Sequence, residues 1–568
     1  MKKISDIKNN KTLSLDPFKG IDTRGRSKDG AGCKELVNFR IKGDGSLERR
    51  EGFSYVYSLN YEARAVWSGQ IDGKDKCFIL AGNEVVVLEP DYLSSTVAYT
   101  DNYEGDAEFF FYRGLLYLVD GNKIRYLSGN TLTSPSGYAP LVAKGWSGHT
   151  IGKINEPRNI LSRRARYEYV MGDEIAPILY FDTTLSSVDA IYVNGSLIAS
   201  DRYDLMPNKW VVSVSGLSPH DTVLVCVTYE EDHPYLEMLS EATHATVFGG
   251  VNNSIPYVWG SPDNLSMMFS SRYVSDDDLA EARKVCDDCD ELYFPVGYEF
   301  VVGDGQYPVR AVSRHYDRLL IFTEGGAWMA NDPNCGSKEF PIININTSIG
   351  TVSRGAVEIE NQVFTVGKQG IYCWDSNTDE LNDCNAHLIS APIQSQLSEK
   401  FLKNSIIYAN QKQREVLVAS TISSDVWCYS LASKQWSKFT GLYAQYFFDY
   451  FGELGYAKEY SVYCLYSWQH EDGGSEITTC MTTDLMDFGS AEKKQIEGIE
   501  VALEGGNWTV ELYADNEKSP SVTAKFNGSG YRRESRRIHM RRFKALKVKI
   551  IADGYEKCTM YSLKIKIR

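Results

Sequence analysis

Apolar runs of about five residues, separated by polar turns, recur along most of the chain, and this pattern predicts short strands joined in hairpins. Phe109 to Leu127 is typical. Arg113-Gly114 makes a turn, Leu115 to Val119 reads as a buried strand, Asp120-Gly121-Asn122 turns again, and Lys123 to Leu127 returns. The same phrase stands at Lys76 to Leu88, Val247 to Arg272, Val312 to Ala330 and Ala356 to Trp374, with looser copies at Ile406 to Phe439 and Tyr446 to Trp468. Turn glycines Gly82 and Gly121 are 39 residues apart, and Gly326 and Gly370 are 44 apart. Both spacings match the ~40 to 50 residue period of a propeller blade, a small sheet that needs neighbours to bury its faces. The repeats predict about six or seven blades, with a pair of stacked β-sandwiches as the competing architecture.

Two segments have a different texture. From Ile151 to His233 the chain carries Ile191-Tyr192-Val193, the hairpin signal Asn194-Gly195 and the apolar run Val223 to Tyr229, which together predict an inserted β-sandwich. Beyond Asp484, Leu546, Val548 and Ile550 alternate with lysines, and Leu563, Ile565 and Ile567 do so again. Strict period two with Lys outward predicts half-exposed strands of a terminal β-sandwich. Helix is scarce. Ile393, Leu397 and Phe401 predict one short amphipathic helix within Ser390 to Lys403, and Asp276 to Asp290 is a second candidate. The expected fold is therefore all-β. Its parts are an N-terminal arm and first strands at 1–62, first blades at 63–150, the insert at 151–233, remaining blades at 234–483 and the terminal sandwich at 484–568.

Composition agrees with that fold, since 568 residues exceed one core, and 37 Tyr, 46 Gly and 17 Pro suit many short strands with glycine turns. The formal charge of −15 disfavours collection of nucleic acid or anionic lipid over the whole surface. Met1 to Thr12 lacks the apolar core of a secretory signal, and no stretch approaches the ~20 apolar residues of a membrane-spanning helix. Cytosolic synthesis without membrane anchoring is expected. The cysteines lie mostly singly in apolar runs, as at Cys77, Cys226, Cys373, Cys464 and Cys558, and are expected to be reduced.

Candidate chemistry is sparse. Phosphate-loop, zinc-protease and nucleophile-elbow motifs are missing from the sequence, which lowers the expectation of an enzyme without excluding one. Cys286 and Cys289 have C-x-x-C spacing and would supply half a zinc site, with only isolated Cys335 or Cys384 to complete it; an ordinary reduced loop is the expected reading. His315, beside Tyr316 and Asp317 in a blade turn, is expected to be structural. No catalytic residue, metal or cofactor is expected. One basic run stands out, with Arg532, Arg533, Arg536, Arg537, Arg541 and Arg542 between Tyr531 and Lys544. It reads either as a patch that docks an acidic partner or touches passing DNA, or as a solvated face balanced by the excess of acid.

Several phrases resemble the tail nozzle proteins of short-tailed bacteriophages, the tail tubular protein B or tail stabilisation family. The first holds Asn38, Gly43, Leu47, Arg50 and Gly52 within Cys33 to Phe53. Others follow in order: Gly249-Gly250 after Val247-Phe248, then Gly303, Gly305 and Pro308 leading into Leu319 to Phe322, then Gly350, then Gly370 before Ile371 to Trp374. The resemblance spans some 350 residues and leaves out both the insert and the terminal sandwich. It implies a structural virion protein, made in the host cytoplasm and carried in the tail. Such a protein forms a ring of subunits, hexameric in that family, below the portal and its adaptor. It contacts other tail proteins and lets DNA pass without sequence-specific binding. Alternatives are a receptor- or glycan-binding tail protein and a propeller glycan-degrading enzyme.

Overall fold

The computed structural model describes residues 11–24, 32–90, 94–98, 105–146, 153–173, 177–249, 253–331, 341–375, 384–488 and 492–568. The chain is all-β with a β-propeller core, an inserted β-sandwich and a C-terminal β-sandwich. It divides into two compact units, one made chiefly of Arg64–Thr347 and the other of Met1–Ala63 with Ser348–Thr378 and Asn382–Arg568.

The first unit holds four antiparallel four-stranded blades, whose strands run Ala63–Ala98, Glu108–Thr133, His244–Val301 and Val309–Asn346. Alternation along single strands explains why these runs are apolar throughout. In Leu115–Val119, Leu116 and Leu118 pack with Phe78 and Leu80 of the preceding blade. Their neighbours Tyr117 and Val119 pack with Val258 and Phe269 of the following one. A strand buried on both faces has no polar side to show. The third and fourth blades share Tyr257 and Met268 with Leu319 and Ile321.

The second unit holds three further blades, at Val357–Leu388, Ser405–Phe439 and Tyr446–Leu465. Seven blades result among the described residues, within the expected range. In the middle one Val416 and Val418 join the cluster of Phe364 and Ile371, while Leu417 and Ala419 join that of Leu454 and Tyr456. The last blade has only three consecutive strands. Phe53–Ser58 supplies the fourth, pairing antiparallel with Ser461–Leu465.

The insert stands between the second and third blades. Its six-stranded sheet already includes Leu141–Trp146, so the boundary expected at Ile151 falls inside it. A three-stranded sheet, Ile178–Tyr180, Val211–Val214 and Tyr203–Leu205, covers a core of Tyr167, Leu179, Ile191, Val212 and Val225. Asn194 and Gly195 take φ +49° and +79°, which is the hairpin turn that the pair signals.

The C-terminal sandwich draws strands from both ends of the chain. One sheet runs Phe39–Ile41, Leu47–Arg49, Thr559–Ile567, Ile496–Glu504, Tyr531–Arg537, with Lys11–Leu15 also paired to Thr559–Ile567. The other contains Cys33–Val37, Cys480–Thr483, Leu546–Asp553, Asn507–Ala514 and Val522–Asn527, and it continues into the Ser405–Phe439 blade where Val37 pairs parallel with Lys438. The strands between Lys11 and Ser58 are thus woven into sandwich and blade.

Three expectations are corrected. Ser390 to Lys403 is not one helix but a 3-10 turn, Ala391–Gln396, and an α-helix, Glu399–Lys403. Leu397 is extended between them, and Ser398 caps a fresh start by accepting the Phe401 N–H. The reduced state expected of Cys226 and Cys286 also fails, because these two form a disulfide. Helix Asp276–Arg283 packs Leu279 and Ala282 onto Ala190, Tyr192 and Leu224 of the insert, and the Tyr192 hydroxyl donates to the Lys284 carbonyl. That docking brings the two Cα atoms to 6.7 Å, a separation a disulfide spans. The expected second helix ends at Arg283, well before Asp290.

Candidate functional site

The opening phrase of the resemblance folds into a buried polar joint. Cys33–Val37 belongs to one sheet of the terminal sandwich and Phe39–Ile41 to the other, so the chain must cross between them at Asn38. Asn38 takes φ +57°, a left-handed conformation that Asn tolerates better than most residues. Its Nδ2 donates to Thr440 Oγ1 at 3.0 Å and to the Thr478 carbonyl at 2.7 Å. Its Oδ1 accepts from Arg50 Nε and from the Thr440 N–H, both at 2.9 Å.

Arg50 is 0% exposed, yet its guanidinium uses every nitrogen. Beyond Asn38 it donates to the carbonyls of Glu51 and Thr440 and forms a two-pronged pair with the Asp472 carboxylate. A planar fork with its donors satisfied is the form in which an arginine tolerates burial. Gly52 follows against the chain at Glu471, whose carbonyl oxygen would lie 2.0 Å from any Cβ, while the Gly52 N–H donates to the Gln469 carbonyl at 2.9 Å. Nothing but glycine fits there.

A second buried arginine lies alongside. Arg40 donates from Nε to Glu415 Oε1 at 2.7 Å and pairs with Glu51, with its guanidinium 4.9 Å from the centre of the Phe439 ring. Burial works against the charge on Glu51, but the Arg40 guanidinium and a backbone hydrogen bond outweigh it and hold that carboxyl below its usual range. For Glu415 burial prevails over Arg40, and the carboxyl is pushed up.

The remaining phrase residues are dispersed. Leu47 is in the sandwich core, opposite Met560, and Gly43 meets only Ala432 at ordinary contact distance. Gly249 is buried after the first strand of the third blade, and Gly250 lies outside the described residues. Gly303 and Gly305 have φ +67° and +80°, Gly303 against Trp328, and Pro308 leads into the fourth blade. Gly350 is buried, and Gly370 fits because a Cβ would meet Ser390 Oγ at 2.3 Å. Asn38, Arg50 and Gly52 are thus brought together, and the others serve separate turns and packing contacts. Sequence reading missed Glu51, Glu415, Thr440 and Asp472, because no local pattern marks an acid or hydroxyl that a distant arginine will meet.

The basic run forms an edge. Tyr531–Arg537 ends its sheet, paired only with Ile496–Glu504 among the described residues, and every side chain in it except Glu534 is exposed. Arg536 lies over Phe526 at 4.6 Å and donates to Glu534, and Arg541 pairs with Glu517. Arg532 donates to Ser529 Oγ and Arg533 to the Tyr531 hydroxyl. Arg537 and Arg542 are exposed in the strand and just beyond it.

Neither Cys286 nor Cys289 is placed for metal: Cys286 is in the disulfide, and Cys289 is a buried thiol whose pKa burial raises. Cys335 lies outside the described residues, and Cys384 is an exposed free cysteine. Among the described residues no group of three or more His, Cys, Asp or Glu could hold a metal ion. His315 is buried, with its ring 4.7 Å from that of Tyr316. No helix among the described residues is long and apolar enough to cross a membrane.

No family model and no curated protein matches the chain. Solved structures to which it is similar include a streptogramin B lyase, at 8% identity over 73% of this chain and 97% of that one, with TM-score 0.36. A BBS1N domain in complex with ARL6DN aligns at 10% identity over 74% and 97%, with TM-score 0.35. An exo-β-1,3-galactanase from Phanerochaete chrysosporium aligns at 9% identity over 82% and 96%, with TM-score 0.21. Likeness this distant carries nothing about activity.

Proposed function

We propose that this chain is a structural protein of a phage tail, forming a ring below the portal and adaptor through which DNA leaves the particle. The observation that carries the reading is the joint at Asn38, Arg50 and Gly52. The opening phrase of the resemblance is spent on a fully bonded, buried knot, and its partners Thr440, Thr478 and Asp472 lie about 400 residues away in sequence. A collar that must hold its shape while DNA passes needs such ties between distant parts of the chain. In this reading the protein is not an enzyme, and it lets DNA slide because its excess of acid disfavours phosphate contacts. Electron microscopy of the purified protein with its adaptor tests this. Rings support the reading, and sugar released from host polysaccharide by lone monomers refutes it.

One observation favours a second reading, a receptor- or glycan-binding tail protein. Tyr180 and Trp210 on the insert are 38% and 44% exposed, with ring centres 5.8 Å apart and planes inclined by 45°, and an exposed aromatic face of this kind can stack on a sugar ring. Host-cell attachment by the purified protein, lost in Trp210→Ala, would establish it.

A further inference from the structure

Charge is sharply segregated along this chain. Tyr531 to Arg568 carries 13 basic and 3 acidic residues, a balance of +10, which leaves −25 on the other 530 residues of a protein whose total is −15. The strand Tyr531–Arg537 gathers the densest part of that excess on a sheet edge with no second partner among the described residues. Arg533 and Arg537 project from the outer face of the sheet with Lys564 and Lys566, since their cross-strand neighbours Ala502 and Gly498 alternate with the core residues Ile499, Val501 and Leu503; the acid on that face, Glu500, is paired with Lys566. Arg542 follows just past the strand.

We infer that this arginine edge is a contact surface for a second copy of the same chain, which it meets on that copy's acidic surface. The inference rests on the ring reading above and supplies its interface. Two edges of this kind cannot pair with each other, because arginine would face arginine and like charges directly opposite are destabilising. The contact is therefore heterologous, basic edge to acidic body, and a heterologous contact whose rotation closes gives a ring, not a symmetric dimer. A copy of this chain is also a partner of complementary charge, since the −25 that repels phosphate is what a basic edge attracts. An arginine-lined edge further rejects uncharged strands, so it stays soluble until the acidic surface arrives.

The test measures the mass of assemblies of the full-length protein at low and high salt, alone and with the adaptor. It compares wild type with the triple variant Arg533→Glu, Arg537→Glu, Arg542→Glu. Arg536 and Arg541 are kept, because they hold Phe526 and Glu517. Wild-type association is expected to weaken with salt, and that of the triple variant to be at least about tenfold weaker at an unchanged melting temperature. The three Arg→Lys replacements are expected to retain it. If the triple variant melts early, Arg542→Glu alone is read in its place. A variant that assembles like wild type overturns this contact and leaves the ring reading standing. Wild-type protein that stays monomeric even with the adaptor defeats both. Duplex DNA retained by wild type and lost in the variant would make nucleic acid the occupant and overturn the inference.

Discussion

Arg50 shows what a buried charge demands. Its neighbours Asn38, Thr440 and Asp472 are arranged around one guanidinium, so removing it leaves Asp472 facing a void without its counter-ion. Arg50→Ala should cost about 3 to 5 kcal/mol, the range for breaking a buried pair from one side, read from the urea midpoint. Arg50→Lys should recover only part, because an ammonium has three donors where the fork has five. Arg40 adds a pH dependence whose sign differs between its two partners. Glu51 is held below its unfolded value, so its contribution is present above that value and is lost as acid protonates it. Glu415 is pushed up, so its contribution is complete at low pH and declines as pH rises through the raised folded value. Melting of Glu51→Gln should therefore depend less steeply on pH than wild type between roughly pH 5 and 3. Glu415→Gln should lose the opposing slope. Equal slopes in all three proteins would contradict the assignment.

Among the elements, the disulfide and the returning N-terminal strand make the most distinct predictions. Cys226 and Cys286 enclose a loop of sequence separation 60, for which the chain-entropy estimate is about 4 kcal/mol. Cys226→Ser should lower the unfolding free energy of the first unit by up to that amount, and added reductant should lower wild type to the same level. Phe53–Ser58 completes a blade through Ser461–Leu465, so those of its amides that bond to that strand should exchange hydrogen as slowly as the bonded amides of the blade's other outer strand, Tyr446–Tyr450. Fast exchange at every amide of Phe53–Ser58, the inward-facing ones included, would place it outside the blade. How much the sequence revealed follows from the range of each interaction. Blade hairpins were legible because strand, turn and return strand lie within twenty residues and each leaves its own mark, as at Arg113-Gly114, with φ +46° and +86°. The insert was legible by its texture. The destination of the first strands was not, since Lys11–Leu15 finds its partner at Leu563–Ile567 and no local pattern encodes that pairing. The disulfide was hidden likewise, because two cysteines in different elements become neighbours only when helix Asp276–Arg283 docks. At the joint, the phrase holding Asn38, Arg50 and Gly52 stood out, but its acidic partners did not.

At the scale of the whole molecule the segregated charge and the buried joint point the same way. The first gives a chain with a basic C-terminal edge on an otherwise acidic body, the basis of the proposed contact between copies, and the second ties distant segments of the chain together. Association driven by such an edge should fall steeply as salt rises above the screening range of about 0.1 M, where an apolar interface would persist. Electron cryomicroscopy of the full-length protein mixed with its adaptor at low salt tests the central claim most directly. The account predicts a closed ring around an open channel, with the arginine edge of each subunit against its neighbour. Monomers bound singly to host glycan, or active on it, would contradict the account.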